Sequence, residues 1–197
     1  MPAETREITP QDVVPVADFA EQRRDRRAAL LPIKRLRRID VGPYCTFYFE
    51  SFETMLFQIQ EMLLIEKGGE AQLADELAAY NPLIPKGREL VATVMFEIDD
   101  PVRRARFLGG LGAIERHFYL QVDDERIDGI PDEEDERTRD DGKTSAVHFI
   151  RFKFTDEQAA GFRAPASKAM IGCDDPRYAH IAVLGAETKA ELARDLD

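Results

Sequence analysis

The stretch "RTRDDGKTSAVHFIRFKF", residues 137–154, decides between two folds. Taken as a nucleotide-binding loop, Gly142, Lys143 and Thr144 would join a strand to a helix and place the chain among parallel α/β proteins. Such a loop needs a glycine five positions before Gly142, where the backbone wraps phosphate. Arg137 stands there. The order of elements is also reversed, because Lys143 and Thr144 lead into residues that alternate at period two. Ala146, His148, Ile150, Phe152 and Phe154 share one face, while Phe149, Arg151 and Lys153 share the other. "DDGK" is then a turn feeding a half-buried strand.

The same pattern continues outward. "HFYLQV" (117–122) and "RIDGI" (126–130) flank Asp123 and Asp124 as a hairpin, and residues 89–98 form a further strand rich in Val, Thr and Phe. Asp100 and Pro101 cap a basic helix that ends near Gly109 and Gly110. Thr155 with Gln158 makes a capping box for a short helix towards Phe162. "KAMIGC" (168–173) and "HIAVL" (180–184) are the last strands, and residues 186–196 form a closing helix.

The clearest helix is "SFETMLFQIQEMLLIEK" (51–67), where Phe52, Met55, Leu56, Ile59, Met62 and Leu63 recur at helical spacing behind a Ser51 cap. Gly68 and Gly69 interrupt it, and Leu73, Ala74, Leu77 and Ala78 line a second helix that Asn81-Pro82 stops. The apolar stripe from Phe52 to Leu63 must be covered, either by this chain's own sheet or by a second subunit of a homo-oligomer. Before it, Thr9, Pro10 and Asp12 read as an N-cap, first-turn proline and early acid, Pro15 opens a longer helix towards Leu31, and Pro32 is expected to stop that helix. Residues 33–41 read as a strand or extended arm, and "YCTFYF" (44–49) as a strand. The expectation is one α+β domain over 1–197 with a mainly antiparallel sheet. It comprises an N-terminal helical arm (1–32), a helical hairpin (51–80) and a main sheet region (89–184), with additional short helices.

Hydrophobic residues are 44% and charged residues 33% of the 197, which excludes wholesale disorder. No apolar run reaches the roughly 20 residues that span a bilayer, and "MPAETREITP" lacks a signal-peptide core, so a cytoplasmic protein without membrane attachment is expected. Cys45 and Cys173 form no metal-binding pair and read as reduced thiols behaving as small hydrophobes. The net charge of −11 opposes nucleic acid, yet the charge is segregated. Eight cations lie between Arg23 and Arg38 (Arg23, Arg24, Arg26, Arg27, Lys34, Arg35, Arg37, Arg38) against the single acid Asp25. Eleven acids lie between Asp123 and Asp141. The basic run lacks interleaved aromatics for base stacking, so it reads as a patch for the chain's own acidic segment or for an acidic protein partner, with nucleic acid an inferior fit.

Candidate chemistry is sparse. "DERIDGIPDEED" (124–135) resembles a calcium loop at Asp124, Asp128 and Gly129, but Arg126 occupies a ligand position and Asp135 replaces the bidentate glutamate. Glu53 and Glu61 share a helix without the Glu-x-x-His partners of a carboxylate metal centre. Cys173 and His180 lack a third, orienting group. His148 stands out as a titratable group on an apolar strand face, either a hydrogen-bonded core histidine or the centre of a pocket with Glu61 and Tyr80 as neighbours, should the helical hairpin cover that face. His117 and His180 also fall on expected strands. No cofactor is expected from any of these patterns.

At "TMLFQIQEML" (54–63), "YNPLIPKGRELVATVMFEI" (80–98), "ERT" (136–138) and "DGKTSAVHF" (141–149) the chain resembles a bacterial family known as domain of unknown function 3501. The resemblance runs from "VGPY" (41–44) to the closing helix. It implies no reaction and no catalytic residue, but it does imply a setting, since such genes stand beside rubrerythrin-like proteins and an iron–sulfur oxidoreductase. The expected role is a non-catalytic accessory protein of peroxide defence or electron transfer, with an enzyme or metal-binding protein centred on His148 as the alternative.

Overall fold

Burial alternates at period two along the first strand, residues 38–41, and along residues 147–153, while the strands around residues 45–49 and 89–96 are buried on nearly every residue. The computed structural model describes residues 6–132 and 144–197. Its strands are β1 (Arg38–Val41), β2 (Cys45–Phe49), β3 (Glu89–Phe96), β4 (Phe118–Val122), β5 (Glu125–Pro131), β6 (Val147–Lys153), β7 (Ala169–Cys173) and β8 (His180–Val183). They lie in the order β1-β2-β3-β6-β5-β4-β7-β8, antiparallel at every step. The helices are α1 (Val16–Leu36), α2 (Phe52–Glu66), α3 (Gly69–Tyr80), α4 (Pro101–Gly109), α5 (Asp156–Arg163) and α6 (Ala186–Leu192). The antiparallel α+β expectation therefore holds.

β1 and β8 meet as the seam of a nearly closed barrel. The Tyr178 hydroxyl donates to the Val41 carbonyl at 2.8 Å and accepts the amides of Tyr44 and Cys45, each at 2.9 Å. Gly42 turns β1 into β2 at φ +72°, and a Cβ there would stand 2.5 Å from the His180 ring, so this corner admits glycine alone.

The inner face carries Phe47, Phe49, Leu90, Val94, Phe96, Phe118, Leu120, Ile150 and Phe152, all buried. Each contributes roughly 1.5–3 kcal/mol relative to exposure. Leu108 of α4, with Leu111 and Ile114, packs over one end; Ala159 and Phe162 of α5 and Leu192 of α6 pack at the other. Outside the barrel, Phe52, Met55, Ile59 and Leu63 of α2 pack with Ile8, Leu83, Ile84 and Val91, and Phe149, Leu73, Leu77 and Tyr80 flank them. The apolar stripe of α2 is thus covered within the chain, on the outer face of β3 and β6.

Two expectations need correction. Pro32 does not stop α1, which continues to Leu36, and the segment 33–41 is extended only over Arg38–Val41. The proline deprives the Ala28 carbonyl of its helical partner, but both residues are exposed, so solvent takes that carbonyl. Arg37 then closes the helix with its amide on the Ile33 carbonyl at 3.1 Å, while its side chain anchors in the barrel. The sheet also begins at Arg38 rather than Glu89, because β1 and β2 are full members of it.

Candidate functional site

His148 lies on β6 facing the barrel interior, fully buried beside Ile150 and Phe152 on the face that alternation assigns it. The edges of Phe96 and Phe118 approach it, with centroids 6.1 Å and 6.4 Å away. Nε2 stands 2.9 Å from the Ser145 carbonyl, which only accepts, so this nitrogen carries a proton. Across the interior, Nδ1 is 3.9 Å from Oε2 of Glu115, a buried carboxyl on the turn Ile114–His117. The His148 side chain is withdrawn from solvent, and that of Glu115 is 11% exposed.

Glu61 and Tyr80 are not the neighbours of His148. The hairpin that carries them covers the opposite face of the sheet, because Phe149 and Val91, not His148, point towards it. Glu61 instead accepts two hydrogen bonds from Arg23 of α1, each 2.7 Å, and that guanidinium holds its carboxyl below the usual range. Tyr80 packs at the edge of the outer cluster.

The three histidines sit at the same end of the barrel but face different partners. His117 places Nδ1 2.9 Å from Asp174 and Nε2 3.7 Å from Asp175. Arg126 adds a contact to Asp174 at 2.8 Å, and the buried Asp175 accepts from the Arg177 side chain and amide. His180 packs against the Tyr178 ring. Among the described residues, no group of three or more His, Cys, Asp and Glu is arranged to hold a metal ion.

The chain also matches the family model for proteins of unknown function named domain of unknown function 3501, over residues 7–196. The chain belongs to this family. A crystal structure of a protein of unknown function from Burkholderia pseudomallei K96243 shares the fold, with TM-score 0.89 and 37% identity over 96% of this chain and 99% of that one. No curated protein matches it. Family membership fixes the fold and leaves the activity to be argued from the residues.

Those residues discourage thiol chemistry. The register sets Cys173 opposite His180, but burial raises the Cys173 thiol to about 11 and drives that of Cys45 well above its usual value. The thiolate nucleophile is scarce at neutral pH. The calcium-loop reading also fails, since 125–131 is strand β5 and Arg126 pairs with Asp128 at 2.6 Å. Residues 133–143, which hold most of the acidic run and the start of "DGKT", lie outside the described residues.

The basic run resolves into two classes. Arg37 is buried: it donates to the carbonyls of Phe49 and Glu50 at 3.0 Å and 2.7 Å and pairs with Glu191 and Asp195. Arg23 is tied to Glu61, Arg26 to Gln22 at 2.9 Å, and Arg38 to Asp40 at 2.9 Å. Arg24, Arg27, Lys34 and Arg35 are exposed and form no ion pair among the described residues. Sequence reasoning missed Glu115, which comes from an irregular turn with no periodicity to flag it. It also missed Tyr48, Glu50 and Thr93, which converge under α1 only after the chain folds.

Proposed function

We propose that this chain is a non-catalytic interaction protein that docks an acidic partner protein through the solvent face of α1. The observation that carries the reading is the exposed set Arg24, Arg27, Lys34 and Arg35, unpaired among the described residues, on a helix of 21 residues with only Phe19 and Leu30 buried. Four cations concentrated in this way, on a molecule of net charge −11, orient an acidic partner and speed its encounter. The family resemblance suggests a rubrerythrin-like protein or an iron–sulfur oxidoreductase as that partner, in a cytoplasmic setting. Among the described residues, no helix is long and apolar enough to cross a membrane.

The test is a binding titration against those two partner classes at low and high salt, with the double variant Arg24→Glu/Arg35→Glu alongside. Binding that weakens with salt and falls at least about tenfold in the variant supports the reading. Absence of binding at every salt concentration overturns it.

A further inference from the structure

Two hollows lie side by side beneath the C-terminal half of α1, where it crosses the outer face of β2 and β3. One, of about 200 Å³, is floored by Tyr48 and Thr93 and ends at Glu50 and Thr54. The other, of about 230 Å³, lies between Leu30 and Leu31 of α1 and the rings of Phe57 and Tyr48. Lys34 and Tyr48 belong to both, so the hollows adjoin there. Joined, they approach the size of a small-molecule site, roughly 300–1,000 Å³.

Their chemistry is divided. Leu31, 44% exposed, turns an apolar side chain towards the second hollow, and the Tyr48 ring is held in place by its hydroxyl, which donates to Glu97 at 2.9 Å. Arg27, Lys34 and Arg35 rim the same hollow. Arg38 is already engaged by Asp40 and Glu97, which leaves those three cations available to an anion. The C-terminus of α1 offers about half a negative charge, which three full positive charges outweigh. At the other end, the Glu50 carboxylate accepts the hydroxyls of Thr54 and Thr93, each at 2.7 Å. These bonds leave it acceptor capacity for a donor group.

We propose that the joined hollows bind a small organic anion with an apolar body. The acidic group sits on Lys34 and its neighbouring arginines, and the hydrocarbon or aromatic part lies between Leu30, Phe57 and Tyr48. A hydroxyl or amine on the same molecule reaches Glu50. The site shares Arg27, Lys34 and Arg35 with the proposed docking face of α1, whereas Arg24 lines neither hollow, so Arg24→Glu bears on docking alone.

The experiment is a fluorescence titration of the full chain with anilinonaphthalene sulfonate, an aromatic anion, followed by competition with phenylbutyrate and with phenylbutanol. The expected result is saturable binding at one site, displaced far better by the carboxylate than by the alcohol. Lys34→Glu and Leu31→Glu should each weaken it by about tenfold, and Arg24→Glu by less than about twofold. Circular dichroism checks that each variant is folded; both substituted side chains are exposed, and if Leu31→Glu unfolds, Lys34→Glu decides alone. Unsaturable fluorescence, unchanged affinity in Lys34→Glu, or equal displacement by the alcohol overturns the site. Loss of partner binding in Arg24→Glu with dye binding intact leaves it standing.

Discussion

The hydroxyl of Tyr178 stands 2.8 Å from the carbonyl oxygen of Val41, so a side chain ties the first strand to the turn that leads into the last. The same oxygen accepts the amides of Tyr44 and Cys45, and burial raises its pKa to about 12, so it keeps its proton at any working pH. Tyr178→Phe keeps the ring and strands the buried Cys45 amide, the partly buried Tyr44 amide and one carbonyl. The expected loss is about 2 kcal/mol. Urea unfolding should show a lower midpoint with an unchanged slope, and an unaltered midpoint would mean the seam does not depend on this hydroxyl.

Arg37 and Arg35 are near neighbours in sequence with opposite roles. Arg37→Met leaves Glu191 and Asp195 without their buried cation and should destabilise by roughly 3–5 kcal/mol. Arg35→Ala removes an exposed charge and should stay within about 0.5 kcal/mol of wild type. Equal midpoints for the two variants would contradict the buried role of Arg37.

The carboxylates near His117 predict acid sensitivity. Arg177 holds Asp175 below the ordinary aspartate range against the opposing effect of burial. His117 does the same for Asp174, again against burial and with help from Arg126. A depressed native pKa contributes stability that is complete above the unfolded value, about 3.9, and is lost as pH falls through the native value. Wild type should therefore lose stability below about pH 4, and Arg177→Gln should lose it less steeply, because Asp175 then titrates closer to its unfolded pKa. Parallel pH curves from urea melts would rule out this assignment.

Pro32 sits inside α1 on its exposed side. Pro32→Ala restores a helical hydrogen bond and should stabilise the protein by roughly 1–3 kcal/mol. Thermal melts decide it, and a decrease would show that the ring makes a contact worth more than the bond it removes.

The strands and caps were legible because each rests on a local rule. Ser51 caps α2, Asp100 caps α4 and Thr155 caps α5, each with the side-chain bond its residue type predicts, and His148 occupies the face that period two assigns. What local rules do not carry is which layer covers which face. Alternation puts His148 and Phe149 on opposite sides of β6 but leaves open which side meets the hairpin, and the condition under which Glu61 or Tyr80 would neighbour His148 is not met, since Phe149 faces the hairpin. The reach of α1 escapes local rules for a related reason. A proline ends a helix on local energetics, whereas here the continuation is fixed by Arg37, whose partners Glu191 and Asp195 lie at the far end of the sequence.

The pairing of β3 with β6 has a consequence for how the chain is made. During synthesis β1, β2 and β3 emerge first, yet the free edge of β3 completes its pairing only after Lys153 has left the ribosome. Until then Leu90, Val94 and Phe96 lack their barrel partners, and apolar surface exposed in this way makes partly folded chains prone to aggregate. The helical hairpin, already translated by the time β3 appears, shields only the outer side of that strand.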